Sequence, residues 1–177
     1  MDSVVTDRMR SLIGRPLETM TSFPIEQGEI RRWAIAAHYP DPPPPRYWDE
    51  ASPEARERGG IVAPADFNPF AWMAAARSGP GIEPLGVDAD LVMAGATEHL
   101  LGVPPPELRH GLNGGIEVLY GEAPMRPGDV ITDTASISEY RERQGRLGLM
   151  LFTTTDHRWV NQRGEHVKTQ RLTYIRY

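Results

Sequence analysis

The sequence predicts an α+β domain in which helices come first and an antiparallel sheet follows. Three observations carry this. Clusters of proline and glycine cut the first two thirds into short helical pieces, and the segment 64–77 is apolar on nearly every face. From Asn113 onward β-branched and aromatic residues dominate, with turn residues every ten to fifteen positions. The 177 residues, 40% hydrophobic and 24% charged, have the composition of one globular domain spanning 1–177. Such a length buries about 70% of the unfolded chain's surface. There is no cysteine, which excludes disulfides, thiolate nucleophiles and Cys-ligated zinc or iron–sulfur sites.

Taken in order, Val5, Met9, Leu12 and Ile13 recur at i, i+4, i+7 and i+8 and lay one apolar stripe on a core before Gly14 and Pro16 end the helix. A better helix follows Ser22. Pro24 stands near its first turn, Glu26 and Glu29 face the positive end of the helix dipole, and Ile30, Trp33, Ala34 and Ala37 form the core-facing stripe, ending near His38. The prolines at 42–45 then break the chain. Ser52 can cap a short helix with Pro53 at its first position and Gly59-Gly60 beyond its end. In 64–77, Phe67, Phe70, Trp72 and a run of alanines argue for a helix enclosed on most sides. A last helix is expected over 88–101 with Asp88 as its cap.

Four strands are predicted, over 115–120, 129–140, 147–160 and 165–177. The second follows the Pro127-Gly128 turn and alternates Ile131, Ala135 and Ile137 with Val130, Thr132, Thr134, Ser136 and Ser138. Turns at Gln144-Gly145 and Asn161-Gln162-Arg163-Gly164 separate the others. Long antiparallel strands with short turns make a meander. A curved meander around an enclosed helix fits two architectures, the hotdog fold and the cone-shaped ketosteroid-isomerase-like fold.

Nineteen basic against 24 acidic residues leave a net charge of −5, the wrong sign for a domain that binds nucleic acid through its phosphates. Lys168 is the one lysine, so a Schiff-base mechanism has a single candidate. No apolar run reaches the roughly 18 residues of a membrane span, and Asp2, Asp7, Arg8 and Arg10 stand where a signal peptide needs an apolar stretch. A location in the bacterial cytoplasm is expected. The five histidines are scattered, without the spacing that zinc or iron needs, so no metal site is expected.

In chain order, Ile30-Arg31-Arg32-Trp33-Ala34-Ile35-Ala36, Tyr39-Pro40-Asp41, Tyr47-Trp48-Asp49-Glu50 and Gly59-Gly60-Ile61-Val62-Ala63-Pro64 resemble the amino-terminal dehydratase domain of the MaoC-like hotdog family. Leu112-Asn113-Gly114-Gly115, Met125-Arg126-Pro127-Gly128-Asp129-Val130-Ile131 and Asn161-Gln162-Arg163-Gly164-Glu165 continue the resemblance, which covers about 14–177. It implies the hotdog architecture and the reversible hydration of a trans-2-enoyl thioester of coenzyme A or acyl carrier protein, giving a 3-hydroxyacyl thioester without a cofactor. That chemistry deprotonates a positioned water, protonates the α-carbon and stabilises an enolate-like oxygen with preorganised donors. The family supplies an Asp/His pair on a Gly-Asp-x-Asn-Pro-x-His type loop and a glycine amide at the start of the central helix.

The match at those positions is partial. Asp41 stands at the family's Asp, but five residues on, where the His belongs, is Arg46, followed by Tyr47. His38, three residues before Asp41, is the histidine that a kinked helix end brings toward the carboxylate, or else a plain helix-end residue. At the helix start Pro64-Ala65 replaces a His-Gly pair, and proline has no N–H to donate. These departures resemble the non-catalytic half of two-part dehydratases. The expected function is a subunit of an (R)-specific enoyl-CoA hydratase or 3-hydroxyacyl-thioester dehydratase that shapes the acyl channel, with Asp41 either vestigial or supporting the site from behind the reacting groups. A second MaoC-like hotdog supplies the Asp/His pair in a heterodimer or heterotetramer, or a homodimer forms; either hides the sheet's open edge. The alternatives are a self-sufficient hydratase using Asp41, a thioesterase using Asp41 or Asp66 as base, and the ketosteroid-isomerase-like cone.

Asn113 and Gly114 are substrate-binding candidates, because backbone there can approach a ligand; a bulge at a strand start is the plainer reading. Arg46, with Arg109 and Arg163, offers bidentate contacts to coenzyme A phosphates, against the plainer reading of solvated charge. His157 and Trp159 share a strand face with Leu149 and Leu151, as a hydrogen-bonded core histidine would.

Overall fold

Five antiparallel strands form one sheet in the computed structural model, which describes residues 3–71, 97–98, 101–146 and 148–177. They are β1 (Pro16–Thr21), β2 (Gly111–Tyr120), β3 (Ile131–Gly145), β4 (Gly148–Asn161) and β5 (His166–Arg176), in the spatial order β1-β3-β4-β5-β2. Helices α1 (Asp7–Arg10), α2 (Gln27–His38) and α3 (Pro53–Glu57), with a 3-10 turn at Pro45–Tyr47, precede β2. Among the described residues no helix is long and apolar enough to cross a membrane.

Local chemistry sets the helix ends. The Glu26 backbone N–H donates to the Glu29 carboxylate at 3.0 Å, closing the first turn of α2, so Pro24 lies outside the helix rather than in it. Ser52 Oγ accepts the Ala55 N–H at 3.2 Å with Pro53 at the first position of α3. In α2, Ile30 and Ala34 are buried and Trp33 packs on the core, while Ala37 is exposed, so the apolar stripe stops one turn early.

Two features depart from the predicted sheet. Strand β1 was not expected, because Pro16 reads as a helix stop and the six residues after Arg15 show no apolar alternation. Strands β3, β4 and β5 form the meander, but β2 pairs with β5 instead of β3, and residues 121–130 span the sheet to reach β3. Glycine explains that pairing. A Cβ at Gly111 would run into the Tyr174 hydroxyl, at Gly114 into Ile175 and Thr173, and at Gly121 into the His166 carbonyl.

One face of the sheet carries the core in two clusters. Ile131, Trp159 and Val167 pack with Ile25 and Ile30 and with the 61–70 segment. Phe70 meets Trp159 edge-on at 4.9 Å, and Trp33 meets Phe67 at 5.5 Å. Such pairs add about 0.5–1.5 kcal/mol each beyond area burial. Ile137 and Leu151 pack with Val5, Met9, Leu12 and Val103. The described part of the expected 64–77 helix runs through turns up to Phe70, with Ala71 helical; residues 72–77, and most of the expected 88–101 helix, lie outside the described residues, with 97–98 helical.

Between the clusters Arg176 donates to both Glu98 carboxylate oxygens at 2.6 and 3.0 Å and to Thr153, and the Tyr140 hydroxyl donates to the same carboxylate. Desolvation, reinforced by the Glu98 charge, drives the Tyr140 pKa far above the usual phenol range. At one end of the sheet Asp129 joins two turns: its carboxylate accepts from the Arg126 N–H, Gln162 Nε2 and the Arg163 guanidinium.

Candidate functional site

The loop after α2 is where an acid–base pair was expected. It begins with a cis Tyr39–Pro40 bond, and the Asp41 N–H donates to the His38 carbonyl at 2.8 Å. His38 Nδ1 pairs with the Ala34 carbonyl at 2.9 Å, within its own helix, and its ring lies 5.8 Å from that of Tyr47. The Asp41 side chain is exposed, and no hydrogen bond joins it to His38. The sequence neighbours therefore do not form a working pair here.

Arg46 is fixed. Its guanidinium donates to the Tyr47 hydroxyl at 3.0 Å and to Glu54 at 3.2 Å, and these partners, Tyr47 foremost, hold its pKa above the ordinary arginine value. A guanidinium in this state has no lone pair with which to take a proton from water. Arg46 and Tyr47 line a cavity of about 260 Å³ together with Pro64, Ala65, Tyr120 and Lys168. Arg46 and Pro64-Ala65, the positions at which the family resemblance places its loop histidine and its His-Gly pair, thus line one cavity, and Arg46 offers no lone pair to take a proton.

Lys168 was not anticipated in this role. Its Nζ donates to the Ala65 and Phe67 carbonyls at 3.2 and 3.4 Å and lies 4.2 Å from the Trp159 ring centroid, which pins the 65–67 turn to β5. Burial pulls its pKa down to about 8, against a smaller opposing influence of Asp66. The signal was its place as the one lysine of the chain, inside a strand.

Asn113 and Gly114 lie at a bulge where β2 and β5 shift register between Asn113 and Gly115, and Asn113 Oδ1 accepts the Gly115 N–H at 2.9 Å. Asn113 also lines a cavity of about 780 Å³ on the core-facing side of the sheet, with Leu17, Ala135, Leu172, Tyr174 and His157. His157 pairs through Nδ1 with Asp133 at 2.9 Å, so it is hydrogen-bonded as the strand-face reading requires. Its partner was missed. The signal was a charged residue in the inward row Ile131, Asp133, Ala135, Ile137. Among the described residues no group of three His, Asp or Glu side chains could hold a metal ion.

The architecture and these turns define a class. A family model for the FAS1-like dehydratase domain region matches residues 11–170, and the chain belongs to that family of hotdog hydratases and dehydratases. No curated protein matches the sequence. Among solved structures, a chain of the ChsH1-ChsH2 complex from Mycobacterium tuberculosis superposes with a TM-score of 0.62 at 20% identity, covering 92% of this chain and 84% of that one. A chain of the C-terminally truncated HadBC (3R-hydroxyacyl-ACP dehydratase) complex from the same organism reaches 0.52 at 17% identity, covering 90% and 96%. These likenesses carry the fold, and the hotdog expectation holds over the ketosteroid-isomerase-like cone.

Proposed function

We propose that this chain is the non-catalytic half of a two-part enoyl-thioester hydratase, an (R)-specific enoyl-CoA hydratase or 3-hydroxyacyl-thioester dehydratase. A partner hotdog supplies the Asp/His pair. The observation that carries this is the cavity lined by Arg46 and Pro64-Ala65: where the resemblance expects the family's base stands a guanidinium already paired with Tyr47 and Glu54, which cannot take a proton from water.

The two structural relatives reported above are chains of complexes, which is consistent with a second subunit here. Strand β2 offers the seam. Among the described strands it pairs with β5 alone, and it exposes Leu112, Ile116, Leu119 and Tyr120. An open edge with apolar side chains is a liability that sheet-to-sheet pairing removes. In this reading Asp41 is vestigial, and His38 serves the end of its helix. Arg46 borders the thioester's path, Asn113 lines the 780 Å³ cavity, which is the acyl chamber, and Gly114 follows it in the β2 bulge. The substrate is a thioester of coenzyme A or acyl carrier protein, and no cofactor takes part.

The test is hydration of crotonyl-CoA, octenoyl-CoA and bulkier enoyl-CoA thioesters by the purified chain, alone and co-purified with a hotdog protein carrying an intact Asp/His loop. Turnover is expected only in the pair and unchanged by Asp41→Ala. Robust turnover by the chain alone, abolished by Asp41→Ala, would overturn the half-site reading in favour of a self-sufficient hydratase.

A further inference from the structure

The cavity of about 260 Å³ carries more positive charge than the reading above uses. Lys168 and Arg58 line it beside Arg46, and Glu122, exposed to solvent, is the one acidic residue of its described lining. The three cations differ in their partners. Arg46 is already paired with Glu54 at 3.2 Å. The Arg58 side chain forms no hydrogen bond or ion pair among the described residues; only its backbone carbonyl is engaged, by Arg126. Lys168 is 2% exposed, and its Nζ meets the Ala65 and Phe67 carbonyls and the Trp159 ring but no carboxylate; the exposed Asp66 acts on it only from a distance. Its pKa of about 8 leaves it charged at neutral pH. Tyr47 adds a neutral donor. Its hydroxyl oxygen accepts from Arg46 Nη2 at 3.0 Å, and no described group takes its proton, so the O–H is left to donate.

A buried cation without a counter-ion is unfavourable, and an anion drawn in beside it offsets that cost. The rest of the wall sets the anion's character. Val62, Ala63, Pro64, Ala123 and Pro124 are apolar, which favours an organic anion over inorganic phosphate, and a guanidinium takes a carboxylate through two parallel N–H donors. The volume lies just below the roughly 300–1,000 Å³ of drug-sized ligand sites, so the ligand is small. We propose that this cavity binds a small carboxylic acid in its ionised form, its compact apolar body against these walls and its carboxylate held by the Arg58 guanidinium and the Tyr47 hydroxyl in the field of Lys168. Such a site is independent of which subunit carries out the hydration, and it distinguishes a free acid from a thioester, which has no carboxylate at its reacting end.

The experiment uses the full chain, without partner or thioester, so its outcome is separate from that of the hydration assay. Calorimetric titration at pH 7 compares benzoate with its uncharged isostere benzamide and with inorganic phosphate. Benzoate is expected to bind about tenfold more tightly than benzamide, the size of one charge-assisted hydrogen bond, and phosphate to show no saturable binding. Arg58→Gln and Tyr47→Phe are each expected to weaken benzoate by about tenfold and to narrow its lead over benzamide. Arg143→Gln, which removes the same charge at the opposite end of β3, is expected to change neither affinity. Lys168→Met is expected to weaken benzoate as well; should that variant not fold, the Arg58 and Tyr47 variants decide. Equal affinities for benzoate and benzamide, phosphate binding as tightly as benzoate, absence of saturable benzoate binding, an affinity unmoved by Arg58→Gln and Tyr47→Phe, or an equal loss from Arg143→Gln would each overturn the proposal.

Discussion

Asp41 and His38 are three residues apart in sequence and do not meet, whereas Asp133 and His157 are 24 apart and do. The first pair lies where a helix gives way to a loop rich in proline, with the histidine satisfying its own helix carbonyl and the carboxylate facing water. The second lies in a ladder whose register fixes both side chains to within a hydrogen bond, with one partner buried. A loop presents chemistry only where its sequence supplies every group. A sheet brings groups together as a by-product of pairing, and an Asp–His pair can arise there without any motif.

That contrast predicts a gradient of mutational cost from sheet to loop. The largest effect belongs to Arg176→Met, which leaves the buried Glu98 carboxylate without its cation and with the Tyr140 hydroxyl as its remaining side-chain donor; urea unfolding should show a loss of about 3–5 kcal/mol. Asp133→Ala comes next. Removing the partner of His157 should cost about 1.5–3 kcal/mol by the same measurement, and a cost near zero would erase the distinction between the two pairs. Lys168 gives a smaller, pH-dependent term. Its folded pKa of about 8 lies below the 10.5 of the free side chain, so between these values the unfolded chain holds more protons and stability rises with pH. Unfolding free energies from pH 7.5 to 10 should therefore climb by about 1–2 kcal/mol from this group, and Lys168→Met should flatten that climb. Asp41→Ala, at the loop, should change stability by less than about 0.5 kcal/mol.

What the sequence made legible was backbone chemistry. Ser52-Pro53, the Gly59-Gly60 stop, the Pro127-Gly128 turn and the Asn161–Gly164 connection each announce themselves through caps and positive φ, and each is present. The family motifs at 125–131 and 161–165 prove to be partners in space, joined through Asp129. In the structure these residues hold the two turns together. The departure at Arg46 was also legible, since an arginine where a histidine is expected offers no proton acceptor. What stayed hidden depended on register. Nothing local indicates that β2 will cross to β5, that Asp133 will find His157, or that Lys168 will cap the 65–67 turn, because each is settled by pairings between segments far apart in the chain.

The place of β2 in the sheet also sets the order of events during synthesis. Its neighbour β5 starts at His166, 46 residues after β2 ends at Tyr120, and until then β2 has no ladder to join. A growing chain therefore carries Leu112, Ile116 and Leu119 in the open while β3 and β4 zip up as a hairpin. At about 5–20 residues per second the exposure lasts a few seconds. Among the described strands β2, with its exposed Leu112, Ile116 and Leu119, is thus anchored late, and its apolar side chains wait in water for β5 whatever surface finally covers them.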